Sequence, residues 1–230
     1  MYVIFDMDGV IADSEAVYLA GYLHAASLYG LPEEDMRAAV ARATGVVNSV
    51  ERRIMQETFG HLPQFDLDKT YSACRDYFMH VVETGQMELK PFAAQTLRRL
   101  KAQGAVVGLA SSSPRTMIDK VLAPHDVLPL FDAVVSGDTV EHSKPDPEIF
   151  IKCARALSIP ESKYSAVYVI EDSYNGIRAA YAAGMRPVMV PDRLPPTQEM
   201  RQKAAAVLPS LAELENFLSN DVDIHEGLRI

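Results

Sequence analysis

Short apolar runs rich in Val and Ile recur along the chain at Tyr2–Phe5, Ala105–Ala110, Ala133–Val135, Val167–Ile170 and Val188–Val190. Helix-length segments separate the later ones, a pattern that predicts a parallel sheet with crossover helices. Pro91 opens and Gly104 closes one such helix, Ser113-Pro114 reads as a cap and first turn, and Gly184 stops the segment Ile177–Ala183. Residues 88–230 therefore alternate β and α.

Residues 14–86 follow a different rhythm, with no convincing strand and four helix-like segments separated at Gly30, Gly45, Gly60 and Gly85. In the last segment Leu67, Tyr71, Cys74, Phe78 and Val81 recur at spacings of three and four, the apolar stripe of a helix packed in a bundle. The pattern predicts an α/β core of residues 1–13 and 88–230 with an all-helical insertion, 14–87, hinged near Asp13-Ser14 and Leu89-Lys90-Pro91.

Composition narrows the function. Of 230 residues 48% are apolar and 23% charged, an ordinary globular mix, and 22 basic against 31 acidic residues leave a formal charge of −9. Binding nucleic acid by broad phosphate neutralisation needs a positive face, so no nucleic-acid partner is expected, and an anionic substrate needs a local positive site. Cys74 and Cys153 lie far apart with no metal-ligand spacing, which suits a reducing compartment. The start carries no basic segment, and the uncharged run 102–114 is too short and polar to span a bilayer. The expectation is a soluble, cytoplasmic protein without a membrane partner.

Chemistry-bearing residues fall where strands end, the place where open parallel sheets bind ligands. Asp6-Met7-Asp8-Gly9 follows the first run, Ser111-Ser112-Ser113 the second and Glu171-Asp172-Ser173 the fourth, while Lys144 lies in the connection after the third. Clustered carboxylates suit a hard divalent cation such as Mg2+, with Asp6 and Asp172 as ligand candidates. The Ser111 hydroxyl, the Lys144 ammonium and N–H groups of the Asp8-Gly9-Val10 turn or of a helix start near Ser113 would hold a tetrahedral anion. Such a site does metal-assisted phosphoryl chemistry, with Asp6 attacking phosphorus and Asp8 moving the proton. Singly, these features also read as a turn, a helix cap and an exposed loop; their joint placement carries the functional reading.

Phe-Asp-Met-Asp-Gly-Val-Ile, Leu-Ala-Ser-Ser-Ser, Ser-Lys-Pro-Asp-Pro and Ile-Glu-Asp-Ser-Tyr-Asn-Gly, in that order, resemble the four motifs of the haloacid dehalogenase-like hydrolase superfamily. The likeness covers nearly the whole chain. It implies a Rossmann-like core with residues 14–87 as a helical cap. It also implies Asp6 as nucleophile, Asp8 as acid/base, Ser111 on the phosphoryl group, Lys144 as charge balancer, and Mg2+ on Asp6, Asp172 and the Asp8 carbonyl. Glu171 joins as a further ligand, directly or through water. Ser112, beside Ser111, reads as a cap or loop hydrogen bond and is a candidate contact to phosphate.

Within the superfamily the chain is most like the β-phosphoglucomutase-like and small-molecule phosphatase branch, with departures. Mutases of that kind carry His where this chain has Tyr18, and a cap-loop Arg where it has Asn48 in Gly45-Val46-Val47-Asn48. That Arg suits the second phosphate a mutase must hold. The reading is a Mg2+-dependent phosphatase of a small phosphorylated metabolite. A sugar phosphomutase is the alternative, and a non-catalytic binding or phospho-acceptor module is the remote one. Asn48, the loop Thr44–Ser49 and Arg52 are the candidates for recognising the leaving group. Arg52-Arg53 also reads as a solvated helix face, and of the six histidines only His142, near Lys144, invites attention. The tail from Asp221 onward reads as a surface segment. Oligomeric state is left open.

Overall fold

The computed structural model describes the backbone of residues 1–44 and 48–227 and the side chains of 1–44 and 48–221. The chain forms two compact units, Met1–Ala12 with Leu89–Ile230 and Asp13–Glu88. The first holds a parallel six-stranded sheet of β1 (Tyr2–Phe5), β2 (Val106–Ser111), β3 (Ala133–Ser136), β4 (Val167–Glu171), β5 (Arg186–Met189) and β6 (Ala206–Val207). Their spatial order is β3-β2-β1-β4-β5-β6. In the central strand Phe5 stands opposite Leu109 of β2 and Ile170 of β4. A strand covered on both faces must be apolar at consecutive positions, which is why Val3, Ile4 and Phe5 are all buried. The order reverses at β1, so the crevice beyond its carboxyl end is the topological switch point.

The second unit consists of α1 (Ser14–Tyr29), α2 (Glu33–Ala43), α3 (Asn48–Phe59) and α4 (Leu67–Glu83). Tyr22, Ala26, Met36, Met55, Phe59 and Cys74 form its core. On α4 Cys74, Phe78 and Val81 are buried and Leu67 and Tyr71 half-buried, so the stripe packs inward as its spacing implied. Asp66 caps that helix through Lys69 N (3.0 Å). Gly45, Val46 and Val47 lie outside the described residues.

Around the sheet run α5 (Ala93–Ala102), α6 (Arg115–Leu122), α7 (Glu148–Ala156), α8 (Tyr174–Ala182), α9 (Gln198–Lys203) and α10 (Leu214–Gly227). The α7 residues Ile149, Phe150 and Cys153 pack in one cluster with Ile4, Ala110, Val167 and Val169. Three expectations change. Strand β5 starts at Arg186, before the Val188 expected, because Pro187 is tolerated there and its carbonyl accepts from Ala205 N at 2.7 Å. The two-residue β6, inside the apolar run Ala204–Leu208, adds a strand that the expected set did not include. The tail is no mere surface segment, because α10 spans its start and Asp221 accepts from the Tyr168 hydroxyl and pairs with Arg186 at 2.6 Å. Among the described residues no helix is long and apolar enough to cross a membrane.

Candidate active site

The backbone of Asp6 extends the β1 ladder by one bond, its N–H donating to Ile170 O at 2.9 Å, and this fixes its buried side chain at the switch point. The chain then turns tightly, with the Met7 carbonyl accepting from the N–H groups of Val10, Ile11 and Ala12. Gly9 sits at φ +75°, and a Cβ there would lie 2.3 Å from Asp172 Oδ2. Only glycine meets both demands, so the turn and the Asp172 carboxylate are packed backbone against oxygen.

Lys144 joins the strand ends. Its ammonium donates to Asp6 Oδ1 at 2.5 Å, to Glu171 Oε1 at 2.7 Å and to Ala110 O at 3.3 Å, and stands 4.8 Å from the centre of the Phe150 ring. Glu171 is buried at 1% exposure, so its second oxygen also needs donors; Oε2 accepts from Ser173 N and Ser173 Oγ, both at 2.9 Å. The α8 backbone closes over this carboxylate, since a Cβ on Gly176 would fall 1.8 Å from Glu171 Cδ. At the end of β2, Ser111 Oγ accepts from Ser113 N at 3.0 Å and lies 3.5 Å from Asp8 Oδ2, to which Ser113 Oγ donates at 2.9 Å.

Charge is unbalanced here. Burial pushes the Asp6 carboxyl up to about 7, against the pull of Lys144 and with the help of Glu171 and Asp8. Burial alone would lower Lys144, but the carboxylates of Asp6 and Glu171 outweigh it and hold the ammonium above its ordinary range. Oxygens of Asp6, Glu171 and Asp172 lie within 4.8 Å of one another. An all-oxygen donor set with excess negative charge fits a hard divalent cation of the Mg2+ type.

The loop carrying Lys144 is held from below by Glu148 at the start of α7. Its carboxylate accepts from Glu141 N (3.0 Å), His142 N (2.9 Å) and Lys152 Nζ (2.9 Å), and these bonds hold its pKa down at about 2. His142 meets the same carboxylate through Nδ1 at 3.2 Å. Asp146 Oδ1 in turn accepts from Glu148 N at 2.9 Å.

Asp6, Asp8, Ser111, Lys144, Glu171 and Asp172 thus share one rim. Other expectations shift. The N–H groups of Gly9 and Val10 are committed to Ala12 O (3.0 Å) and Met7 O (3.3 Å), so the turn offers no cradle of those two donors. Ser113 does not cap α6, which begins without a side-chain cap after Pro114; its hydroxyl serves Asp8 instead. Ser112 is exposed at the same edge. Asn48 and Arg52 belong to the helical unit. Asn48 lines a cavity there, and the Arg52 guanidinium is tied to Asp68 at 2.8 Å and lies over the Tyr71 ring. Sequence reasoning overlooked Ser113 and Glu148 as supports. The available signal was a hydroxyl two residues beyond Ser111, and an acid four beyond Lys144 that would open a helix.

The model of the haloacid dehalogenase-like hydrolase family matches residues 1–184, and the chain belongs to that family. A "Phosphorylated carbohydrates phosphatase" of Thermotoga maritima is 32% identical, with 80% of this chain and 81% of that protein aligned. A "Probable pseudouridine-5'-phosphatase" of Drosophila melanogaster is 34% identical over 92% of this chain and 90% of its own. Among solved structures, a candidate beta-phosphoglucomutase from Thermotoga maritima superposes with a TM-score of 0.78 at 28% identity, covering 96% of this chain and 99% of that one.

Proposed function

We propose that this chain is a Mg2+-dependent phosphatase that hydrolyses a small phosphomonoester of the sugar-phosphate kind through an aspartyl phosphate on Asp6. The observation that carries the reading is the contact of Lys144 with both Asp6 and Glu171 beside the Ser111–Asp8–Ser113 cluster. A nucleophile, an acid/base and a cation at one strand-end rim are the parts phosphoryl transfer needs. The phosphatase names of the carbohydrate and pseudouridine relatives support the reaction class.

Asp6, Asp172 and the Asp8 carbonyl, with Glu171, are the residues that would hold Mg2+. The ion supplies neutralisation of charge on the phosphoryl oxygens and the approaching carboxylate. Asp6 attacks phosphorus as the ester oxygen leaves with a proton from Asp8. Asp8 then takes a proton from water, whose oxygen attacks phosphorus and releases inorganic phosphate and free Asp6. Lys144 opposes the rise that burial gives the Asp6 pKa and so favours its ionised form, and the Ser111 and Ser112 hydroxyls would bond the transferred group.

The test is phosphate release from a panel of sugar, polyol and nucleoside monophosphates with Mg2+, with Asp6→Asn as control. Metal-dependent release lost in the control is the expected result. Isomerised product without free phosphate would replace phosphatase by mutase, a reading the beta-phosphoglucomutase likeness keeps in view.

A further inference from the structure

Strand β3 ends beside the serine run of β2. Its last residue, Ser136, is buried and stands in register with Ser111. From there the Gly137-Asp138 turn leans on the neighbouring strand end. Gly137 N–H donates to Ser113 O at 3.0 Å, and a Cβ on Gly137 would lie 2.0 Å from Ser112 O. Both contacts set backbone against backbone, so no flexible side chain is there to yield to a larger residue. Asp138 makes the next contact, its Oδ2 accepting from Arg115 N at 3.4 Å where α6 begins. Its Oδ1 accepts from Ser136 Oγ at 2.5 Å, and Thr139 Oγ1 donates to Ser136 O at 2.6 Å, so the turn is braced from within. The Ser136 hydroxyl and the Arg115 N–H hold the Asp138 carboxyl below its ordinary range, which keeps it ionised where the first-turn N–H groups of a helix favour an anion.

These contacts all fall on one loop. Ser113, held at its carbonyl by Gly137, donates its hydroxyl to Asp8 Oδ2 at 2.9 Å and its N–H to Ser111 Oγ at 3.0 Å. One side of the loop therefore serves the rim, and the other is fastened to the turn after β3. We propose that Gly137 and Asp138 are positioning residues: by fastening the Ser111–Ser113 loop and the start of α6, they hold the Ser113 hydroxyl where it orients Asp8. The fastening stands on geometry alone, and its consequence for the reaction rests on the phosphatase reading. In that reading Asp8 gives a proton to the leaving oxygen, and a proton donor that loses its alignment loses much of its effect. Gly137 and Asp138 act through Ser113.

Asp138→Ala, Asp138→Asn and Gly137→Ala, each checked for folding by thermal melting, test this, and the two Asp138 variants carry the test if Gly137→Ala does not fold. The amide oxygen of Asn can still accept from Arg115 N, so Asp138→Asn should rescue what Asp138→Ala loses, to within about twofold of wild type. Amide hydrogen exchange read by mass spectrometry on peptides spanning residues 111–118 reports the loop directly, and should quicken by roughly tenfold in Asp138→Ala but not in Asp138→Asn. The kinetic readout is kcat/KM, which ends at formation of the aspartyl phosphate, for p-nitrophenyl phosphate against the fastest sugar or polyol phosphate of the panel. p-Nitrophenolate leaves without a proton, whereas an alkoxide needs the one from Asp8. In Asp138→Ala the alkyl ester should lose on the order of tenfold and the aryl ester about twofold, and in Gly137→Ala the alkyl ester should lose on the order of a hundredfold. A merely structural role would lower both esters together, through loss of active protein. Unchanged exchange in Asp138→Ala, an equal loss or no loss for the two esters, or the same loss in Asp138→Asn would overturn the proposal. If wild type hydrolyses no ester, the phosphatase reading fails and exchange alone decides: faster exchange in Asp138→Ala than in Asp138→Asn upholds the fastening, and equal exchange overturns it.

Discussion

At the end of the sheet Asp6, Lys144 and Glu171 satisfy one another, whereas the cavity of the helical unit keeps one carboxylate–hydroxyl pair and a buried hydroxyl without a partner. The first region is fixed in advance. Its geometry is set by backbone, by the close approach of α8 and by a lysine that a single loop delivers. The second is unfinished. The prearranged set at the sheet end suits electrostatic stabilisation of a transferring group, which works best when nothing need reorganise.

Breaking the sheet-end set should have the largest consequences. Asp6→Asn is expected to reduce phosphate release by on the order of 10⁴-fold or more while the protein stays folded, since the amide oxygen still accepts from Lys144; single-turnover assays measure the first and thermal melting the second. Lys144→Met strands two buried carboxylates, and urea unfolding should report a loss of about 3–5 kcal/mol. An unchanged midpoint in that variant would mean that the acids find other compensation. Gly176→Ala forces a methyl group onto the Glu171 carboxylate, 1.8 Å from Cδ without movement, and is expected to lose about 1–3 kcal/mol together with activity.

Supports outside the rim should matter less. In Glu148→Gln the Lys144 loop loses its charged anchor, and kcat should fall by roughly tenfold with KM little changed. The Glu148 carboxyl lies at about 2 against an ordinary 4.5, so the stability it contributes is present above about pH 4.5 and is lost as pH falls toward 2. Acid titration of wild type and Glu148→Gln, followed by circular dichroism, should therefore converge at the low end. Curves that stay parallel down to pH 2 would contradict the assigned anchor. Tyr71→Phe, the smallest change, should leave the melting temperature equal or higher, because it removes a buried hydroxyl without a hydrogen-bond partner.

How much of this was legible in the sequence follows the same division. Strand β1 coincides with its apolar run, β3 and β4 extend one residue past theirs and β2 is shifted by one residue at both ends, because strands buried on both faces leave uninterrupted Val and Ile. The helical insertion was legible from glycine spacing and the α4 stripe. Asp6, Asp8, Ser111, Lys144, Glu171 and Asp172 could be gathered from their places after strands, since a parallel sheet brings those ends to one edge. Details that depend on side chains meeting across loops stayed hidden. Nothing in the sequence distinguishes Ser113 as a helix cap from Ser113 as a partner of Asp8, or shows that the Gly9 N–H already bonds to Ala12. The pairing of Arg52 with Asp68, and that of Tyr22 with Glu51, joins different helices at separations no local pattern encodes.

The central claim is that Asp6 carries the phosphoryl group. Rapid acid quench of the Asp8→Asn protein mixed with Mg2+ and a hydrolysable phosphomonoester, followed by peptide mass spectrometry, tests it most directly, because that variant lacks the carboxylate assigned to activate water. The account predicts one phosphoryl group on the peptide containing Asp6, removable by hydroxylamine and absent when Asp6 is also Asn. Phosphate released at the wild-type rate with no adduct, or an adduct that persists in the double variant, would contradict it.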